Sequence, residues 1–249
     1  MRLLIDIGNT NLHWTLDGPG TAWSVASVRH SGGIPPDLIA AWERLSPPER
    51  ILVSHVAGPG LAESLTRVAR ALWRVEPEFV RVIQGYGGIQ VAYSQPERLG
   101  VDRWLALLAA RRLHQEATLI LDAGTAATFD LLLADGRHLG GLILPGIELM
   151  RSSLFAKTQI PPPAEPIKAG LAYWGTDTQS AIALGSIQAL AATAERLYDR
   201  LAAESGSTPW LVLTGGDAGR IGPFLLRPWT QIADLVLRGL AEAGALDRT

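Results

Sequence analysis

Apolar and polar positions alternate in a recognisable order from the first residues. Arg2–Asp6 carries Leu3, Leu4 and Ile5 in a run and predicts a short strand. Gly8-Asn9-Thr10-Asn11 follows. It is a turn signal, because Gly and Asn tolerate positive φ. Leu12–Leu16 reads as the returning strand, Asp17-Gly18-Pro19-Gly20 as a second turn and Thr21–Val28 as a third strand. Together these make an antiparallel meander. The period then changes. Leu38–Leu45 predicts a helix between Pro35-Pro36 and Pro47-Pro48, and Ile51–Ser54 a strand. Leu61–Trp73 has Leu61, Leu65, Val68 and Leu72 on one helical face. Phe79–Ile83 predicts another strand, and Gly85–Gly100 is glycine-rich and irregular. Val101–His114 predicts a helix with Trp104, Leu105, Leu108 and Leu113 among its apolar positions.

The opening pattern then recurs. Thr118–Leu121 is an apolar strand leading into Asp122-Ala123-Gly124-Thr125-Ala126. Ala127–Leu133 returns, Asp135-Gly136 turns, and His138–Leu144 is the third strand. Helices are expected over Ile147–Phe155, from about Thr178 to Ala203, and from about Thr230 to Glu242. A strand at Trp210–Leu213 separates the last two and ends in Thr214-Gly215-Gly216-Asp217. Each half thus begins with strand, Asp-x-Gly, turn, strand, turn, strand. Asp6 and Asp122 lie 116 residues apart in a chain of 249. Such self-similarity points to internal duplication. The expected division is residues 1–116 and 117–249, two similar α/β domains.

Composition narrows the functions. Lys+Arg total 22 against 24 Asp+Glu, a net charge of −2. That balance argues against a nucleic-acid partner, which calls for a basic stripe. Apolar residues at 47% and charged residues at 18% exclude a disordered chain. There is no cysteine, so thiol chemistry and Cys-ligated metal are excluded. No apolar run approaches the ~18 residues of a membrane span. Asp6 and Asn9 interrupt the first apolar stretch, so it does not read as a signal peptide. The expectation is a cytoplasmic globular protein with no membrane partner. Lysine occurs only as Lys157 and Lys168, which reads as genome composition.

Candidate chemistry gathers at the glycine turns. Asp6-Ile7-Gly8-Asn9-Thr10 places a carboxylate at a strand end, before a turn whose N–H groups can converge on phosphate. Asn and Thr add donors, and a carboxylate can hold Mg²⁺ through water. An ordinary hairpin would use the same residues for turn geometry. Asp122-Ala123-Gly124-Thr125-Ala126 repeats the chemistry and admits the same plain alternative. In Thr214-Gly215-Gly216-Asp217 the glycines permit close approach of a ligand to the backbone. The sequence there is neither a Walker loop nor a dinucleotide fingerprint. Gly100-Val101-Asp102-Arg103-Trp104 opens a helix. Asp102 there is either a general base or a carboxylate favoured by the helix dipole. Arg103 is either an anion contact or a solvated side chain.

These motifs, with Gly140-Gly141-x-Ile143-x-Pro145-Gly146, occur in an order that resembles the type III pantothenate kinase family, some of whose members are called Bvg accessory factors. The resemblance runs from residue 1 to about 240. It implies two duplicated ribonuclease-H-like domains of the acetate/sugar kinase, heat-shock chaperone and actin superfamily, with ATP bound in the cleft between them. It implies transfer of the ATP γ-phosphoryl to the terminal hydroxyl of pantothenate, the first committed step toward coenzyme A. By the same resemblance Asp6, Gly8, Asn9 and Thr10 form a first phosphate loop, and Asp6 helps hold Mg²⁺. Thr125 serves a second phosphate loop, and Gly215 and Gly216 a third nucleotide contact. Asp122 is the ligand of a monovalent cation, K⁺ or NH₄⁺. Asp102 is the catalytic base, and Tyr93, Gly100, Val101, Asp102, Arg103 and Thr178 line the pantothenate site. Thr178 would reach the substrate from the other protomer of a homodimer.

Two rival functions keep the same fold: a kinase for another small hydroxyl substrate, and an accessory protein that binds nucleotide without turnover. The presence of both Asp102 and Asp122 speaks against the second. His13 stands where some relatives have lysine and is expected to face solvent. Pro161-Pro162-Pro163 reads as a stiff loop. Trp104 and Trp174 are the two tryptophans near proposed substrate residues.

Overall fold

A computed structural model describes residues 1–163 and 172–246. They fall into two compact units. The first comprises Met1–Gly87, Tyr93–Ala109 and the stretch from Asp234 onward; the second comprises Gly88–Ala92 and Ala110–Ala233.

The first unit holds a five-stranded sheet. Its strands are β1 (Arg2–Ile7), β2 (Asn11–Asp17), β3 (Ala26–Arg29), β4 (Arg50–His55) and β5 (Pro77–Phe79), in the order β3-β2-β1-β4-β5. β1, β2 and β3 are antiparallel neighbours, whereas β1, β4 and β5 are parallel. β1 is central, which explains its unbroken apolar run: both faces are covered. Leu3, Ile5 and Ile7 pack under α1 (Pro36–Trp42) and α2 (Pro59–Trp73). Trp42 is fully buried there, edge-on to Trp14 and tilted against Trp73. Prolines at the first turns of α1 and α2 suit positions that have no N–H to satisfy.

The other face of that sheet takes α7 (Leu235–Leu246), which packs on β1, β2 and β4. A Cβ at Gly244 would run into the Leu52 side chain, and one at Gly239 into the Leu105 carbonyl of α3 (Val101–Leu113). The last helix therefore packs with the first sheet, although a division at residue 116 counts it with the second half.

The second unit repeats the plan. β6 (Thr118–Ala123), β7 (Ala126–Leu132), β8 (His138–Pro145), β9 (Trp210–Thr214) and β10 (Thr230–Gln231) form a sheet in the order β10-β9-β6-β7-β8. Strand for strand this is the first sheet again, with the same antiparallel meander and the same parallel continuation. Register agrees too. Asp6 lies opposite His13 on β2 and Ser54 on β4; Asp122 lies opposite Thr128 on β7 and Thr214 on β9. The molecule is a duplicated α/β fold of the ribonuclease-H-like kind. α4 (Ile147–Lys157), α5 (Thr178–Ser205) and the short α6 (Ala218–Ile221) complete the unit. Asp177 and Ser180 form a capping box at the start of α5, and Gly206 closes it in the left-handed region. Leu119, Leu121, Phe129, Leu190 and Leu211 are among its core residues.

Three elements differ from the sequence reading. The third strand is Ala26–Arg29, shorter than Thr21–Val28. Trp23 instead bonds the Asp234 carboxylate through its ring N–H and lies under the Arg238 guanidinium. The strand expected at Phe79–Ile83 is Pro77–Phe79, because its register is set by Ile51–Val53 across the sheet. The last helix begins at Leu235, not Thr230. Thr230 and Gln231 pair with Val212 and Leu213, a long-range partner that local pattern does not reveal.

Candidate active site

The first glycine loop sits between β1 and β2. Asp6 is half-buried at the end of the strand. The Gly8 N–H donates to the Asn11 carbonyl at 3.0 Å, which closes the turn. Asn9 stands exposed at its tip. His30, just past β3, was not singled out in the sequence. It donates its N–H to the Thr10 carbonyl at 3.1 Å, and its ring Nε2 lies 2.8 Å from the Gly8 carbonyl oxygen. Local sequence gave no sign of it, since the contact spans two turns of the meander.

The second loop has the same construction. Gly124 N–H donates to the Ala126 carbonyl at 3.1 Å, and Gly146 N–H to the Thr125 carbonyl at 2.9 Å. Thr125 is exposed and Asp122 half-buried. The Thr214–Asp217 turn meets this loop within the same unit. Gly215 has φ +84°, and a Cβ there would lie 2.5 Å from both the Ala123 carbonyl oxygen and Asp122 Oδ1. Only glycine permits that approach. Asp217 N–H donates to the Ala123 carbonyl at 2.9 Å, which ties the two turns together. So the structure brings Asp122, Thr125 and Gly215 into one cluster, with Gly216 exposed beside it.

A chain of ion pairs supports that cluster, and it too escaped sequence reasoning. Arg220 Nη1 donates to Asp217 Oδ1 at 2.8 Å and to Glu148 Oε1 at 2.9 Å. The same Glu148 oxygen accepts from Arg151 Nη1 at 3.1 Å. Arg151 is 6% exposed and donates onward to the Ala183 carbonyl of α5 at 3.0 Å. Its burial holds the guanidinium below the usual arginine range, with the Arg220 charge adding to the effect. The available signal was the i, i+3 spacing of Asp217 and Arg220 at a helix start.

The proposed substrate residues of the first unit also assemble. Gly100 precedes α3, and Val101, Asp102 and Arg103 are its first turn. Asp102 Oδ1 accepts the Arg103 N–H at 2.8 Å. A Cβ at Gly100 would lie 2.5 Å from that oxygen, so the glycine leaves the carboxylate its room. Arg103 is 6% exposed; its Nη1 donates to the Tyr93 hydroxyl at 3.0 Å and its guanidinium lies 5.9 Å from the Tyr93 ring centre. Arg103 is thus no solvated helix-start arginine. Trp104 is fully buried and packs on Tyr86, so it belongs to the core. Trp174 is 74% exposed. Thr178 opens α5 in the second unit, on a groove of about 680 Å³ lined by Met150, Leu154, Ala181 and Ile182.

His13 departs from expectation. It is half-buried, opposite Asp6, and does not stand free in solvent. Burial holds its imidazole below the ordinary value of 6.5, and does the same for His55. The sign of the linkage follows. The unfolded chain takes up these protons first as pH falls. This contribution to stability is therefore complete above 6.5 and is lost as pH drops through the folded-state values. Thermal unfolding at pH 7.5 and pH 5.5 should show a smaller drop in Tm for His13→Gln than for the wild type. Equal drops would remove His13 from the balance.

Known proteins resemble this chain in sequence and in fold. A family model described as type III pantothenate kinase matches residues 2–200. A type III pantothenate kinase of Nitrosococcus oceani is 40% identical over 249 residues, covering 97% of this chain and 93% of that protein. Two solved structures share the fold at low identity. A Campylobacter jejuni protein described as a Baf family transcriptional activator has TM-score 0.60 at 21% identity and covers 99% of this chain and 98% of its own. A Sinorhizobium meliloti protein described as a 2-dehydro-3-deoxygalactonokinase has TM-score 0.58 at 15% identity, covering 99% of each chain. The family model spans most of the sequence and the Nitrosococcus relative nearly all of it, so the chain belongs to the type III pantothenate kinase family.

Proposed function

We propose that this protein transfers the γ-phosphoryl of ATP to the terminal hydroxyl of pantothenate, giving 4′-phosphopantothenate at the start of coenzyme A biosynthesis. Family membership supports the reaction. The observation that carries the site is the repeated Asp-x-Gly loop, set in the same register of two matching sheets.

Phosphoryl transfer asks the protein mainly for positioning and charge stabilisation. Asn9 and Thr10 supply donors for phosphate oxygens from the first unit, and Gly8 closes the turn that presents them. Thr125, with Gly215 and Gly216, supplies nucleotide contacts from the second. Asp102 accepts the proton of the attacking hydroxyl. Arg103, oriented by Tyr93, takes up an anionic or carbonyl group of the substrate. Val101 and Gly100 line the same site, and Thr178 is read as a contact supplied across a homodimer.

The donor set fits the implied ions. Among the described residues no three His, Asp or Glu side chains form a metal cage. Mg²⁺ needs none here, since it keeps waters and shares substrate phosphates. Asp6 is the carboxylate that would hold it. Asp122 Oδ1 and the Ala123 carbonyl oxygen converge beside Gly215, and Asp122 is the carboxylate that would hold K⁺ or NH₄⁺. Bound there, such a cation supplies fixed positive charge to the polyphosphate.

Homodimerisation is supported by the second unit's outer apolar residues. Ile143 is 61% exposed, with Leu142, Leu149 and Leu154 also open and the α4–α5 groove beside them. Among the described residues no helix is long and apolar enough to cross a membrane. A cytoplasmic location is part of the same reading.

The test is ADP release from Mg·ATP, with and without pantothenate, in Na⁺ and in K⁺ buffer. Release that requires both pantothenate and K⁺ is expected. Release with pantothenate in either buffer removes the cation role of Asp122. No pantothenate-dependent release from folded protein removes the reaction. Sedimentation of the same preparation reads the dimer: a single-chain mass of 26.7 kDa would overturn it.

A further inference from the structure

In each unit, the residue directly after the third strand grips the loop between the first and second strands. In the second unit that residue is Gly146, after β8. Its N–H donates to the Thr125 carbonyl at 2.9 Å. A Cβ there would run into the Gly124 and Thr125 carbonyl oxygens, so backbone alone fits. In the first unit it is His30, after β3. Its N–H donates to the Thr10 carbonyl at 3.1 Å. Thr10 and Thr125 each precede the second strand of their sheet, so the two bonds are one bond of the duplicated fold.

The loops differ by one residue. Gly124 closes on Ala126, two residues on, whereas Gly8 closes on Asn11, three residues on. In the longer loop the His30 ring lies against the Gly8 carbonyl. Nε2 lies 2.8 Å from that oxygen. A carbonyl only accepts, so Nε2 carries the hydrogen and Nδ1 is the acceptor, with the Gly32 N–H 3.4 Å away. The peptide bond is trans. In a planar trans peptide the Asn9 N–H points opposite to the Gly8 C=O. Holding that carbonyl against the ring therefore aims the Asn9 N–H away from His30, out at the tip of the loop.

We infer that His30 is a positioning residue for the nucleotide: its ring fixes the Gly8–Asn9 peptide so that the Asn9 N–H donates to a phosphate oxygen. In the second unit Gly146 makes only the backbone bond of this pair, and it has no side chain to take the part of the ring. The inference rests on the reading of residues 6–10 as a phosphate loop, and its test separates the two.

Two variants are compared. His30→Leu fills much of the ring's volume without a donor. His30→Gln carries an amide N–H at about the reach of Nε2. Binding of Mg·ADP is measured by calorimetry, together with KM for ATP and for pantothenate, kcat and Tm. Loss of one neutral hydrogen bond of ~1.4 kcal/mol corresponds to about tenfold. His30→Leu should weaken Mg·ADP and raise KM for ATP by roughly tenfold, with KM for pantothenate unchanged, and His30→Gln should recover most of the loss. Wild-type affinity for Mg·ADP in His30→Leu overturns the inference. So does a His30→Gln protein no better than His30→Leu, which makes the ring a structural filler. If wild-type protein binds Mg·ADP but does not phosphorylate pantothenate, the proposed reaction fails and the His30 result still stands. Wild-type protein that binds no nucleotide overturns both.

Discussion

Replacing Asp102 by Asn should lower kcat by about 10²–10⁴-fold, the usual worth of a positioned general base. At ~1.4 kcal/mol per decade that is about 3–5 kcal/mol of barrier. The substitution changes little else. Asn keeps a side-chain oxygen that can accept the Arg103 N–H, as Asp102 does at 2.8 Å. It also fits beside Gly100, since the two side chains have nearly the same shape. The loss of a carboxylate from the first turn of α3 costs only about 0.3–1 kcal/mol through the helix dipole. The protein should therefore stay folded, bind ATP as before and keep KM for ATP. Steady-state kinetics with Mg·ADP calorimetry would show this split. Full turnover by Asp102→Asn would take the base role away from Asp102. Lost nucleotide binding would make the residue structural.

Gly215→Ala is expected to damage stability and nucleotide binding together. Two costs add. Gly215 sits at φ +84°, where a Cβ costs roughly 1–2 kcal/mol. That Cβ would also lie 2.5 Å from the Ala123 carbonyl oxygen and from Asp122 Oδ1, neither of which is the far end of a long flexible chain. Forcing them aside costs another ~1–3 kcal/mol. At about 2–4 °C per kcal/mol for a chain this long, Tm should fall by roughly 4–20 °C. Moving the Ala123 carbonyl also disturbs its bond from the Asp217 N–H, so K⁺ dependence and ATP affinity should fall with it. The neighbouring glycine is the control. A Cβ at Gly216 meets nothing within 4 Å and its φ is not positive, so Gly216→Ala should shift stability by no more than ~0.5 kcal/mol. Equal melting of the two variants would mean that the close approach at Gly215 has no energetic weight.

Much of the frame was legible along the chain because it is local. β1 and β6 show as apolar runs, and their glycine turns follow at once. The duplication could be read because each half writes the same strand–turn–strand order. α2 and α5 carry helical spacing and end where left-handed residues, Arg74 and Gly206, stop them. Gly215 and Gly216 read as glycines that admit a ligand to the backbone, whereas the atoms that come close to Gly215 are the protein's own Ala123 carbonyl and Asp122 carboxylate.

What the sequence by itself determined is the set of short-range choices: which segments alternate, where glycine or asparagine must turn the chain, and which carboxylates end buried strands. These follow from periodicity and backbone sterics, which act over a few residues. What only the tertiary structure decided is who meets whom. His30 reaches Gly8 across the meander, Arg220 and Arg151 share the oxygen of Glu148, His13 lies half-buried opposite Asp6, and the last helix returns to cover Leu52 on the first sheet. His30 and Gly8 lie 22 residues apart, Arg220 and Glu148 72, and Gly244 and Leu52 192. Their pairing is set by strand register and by the need to bury both faces of each sheet. No local window contains that information.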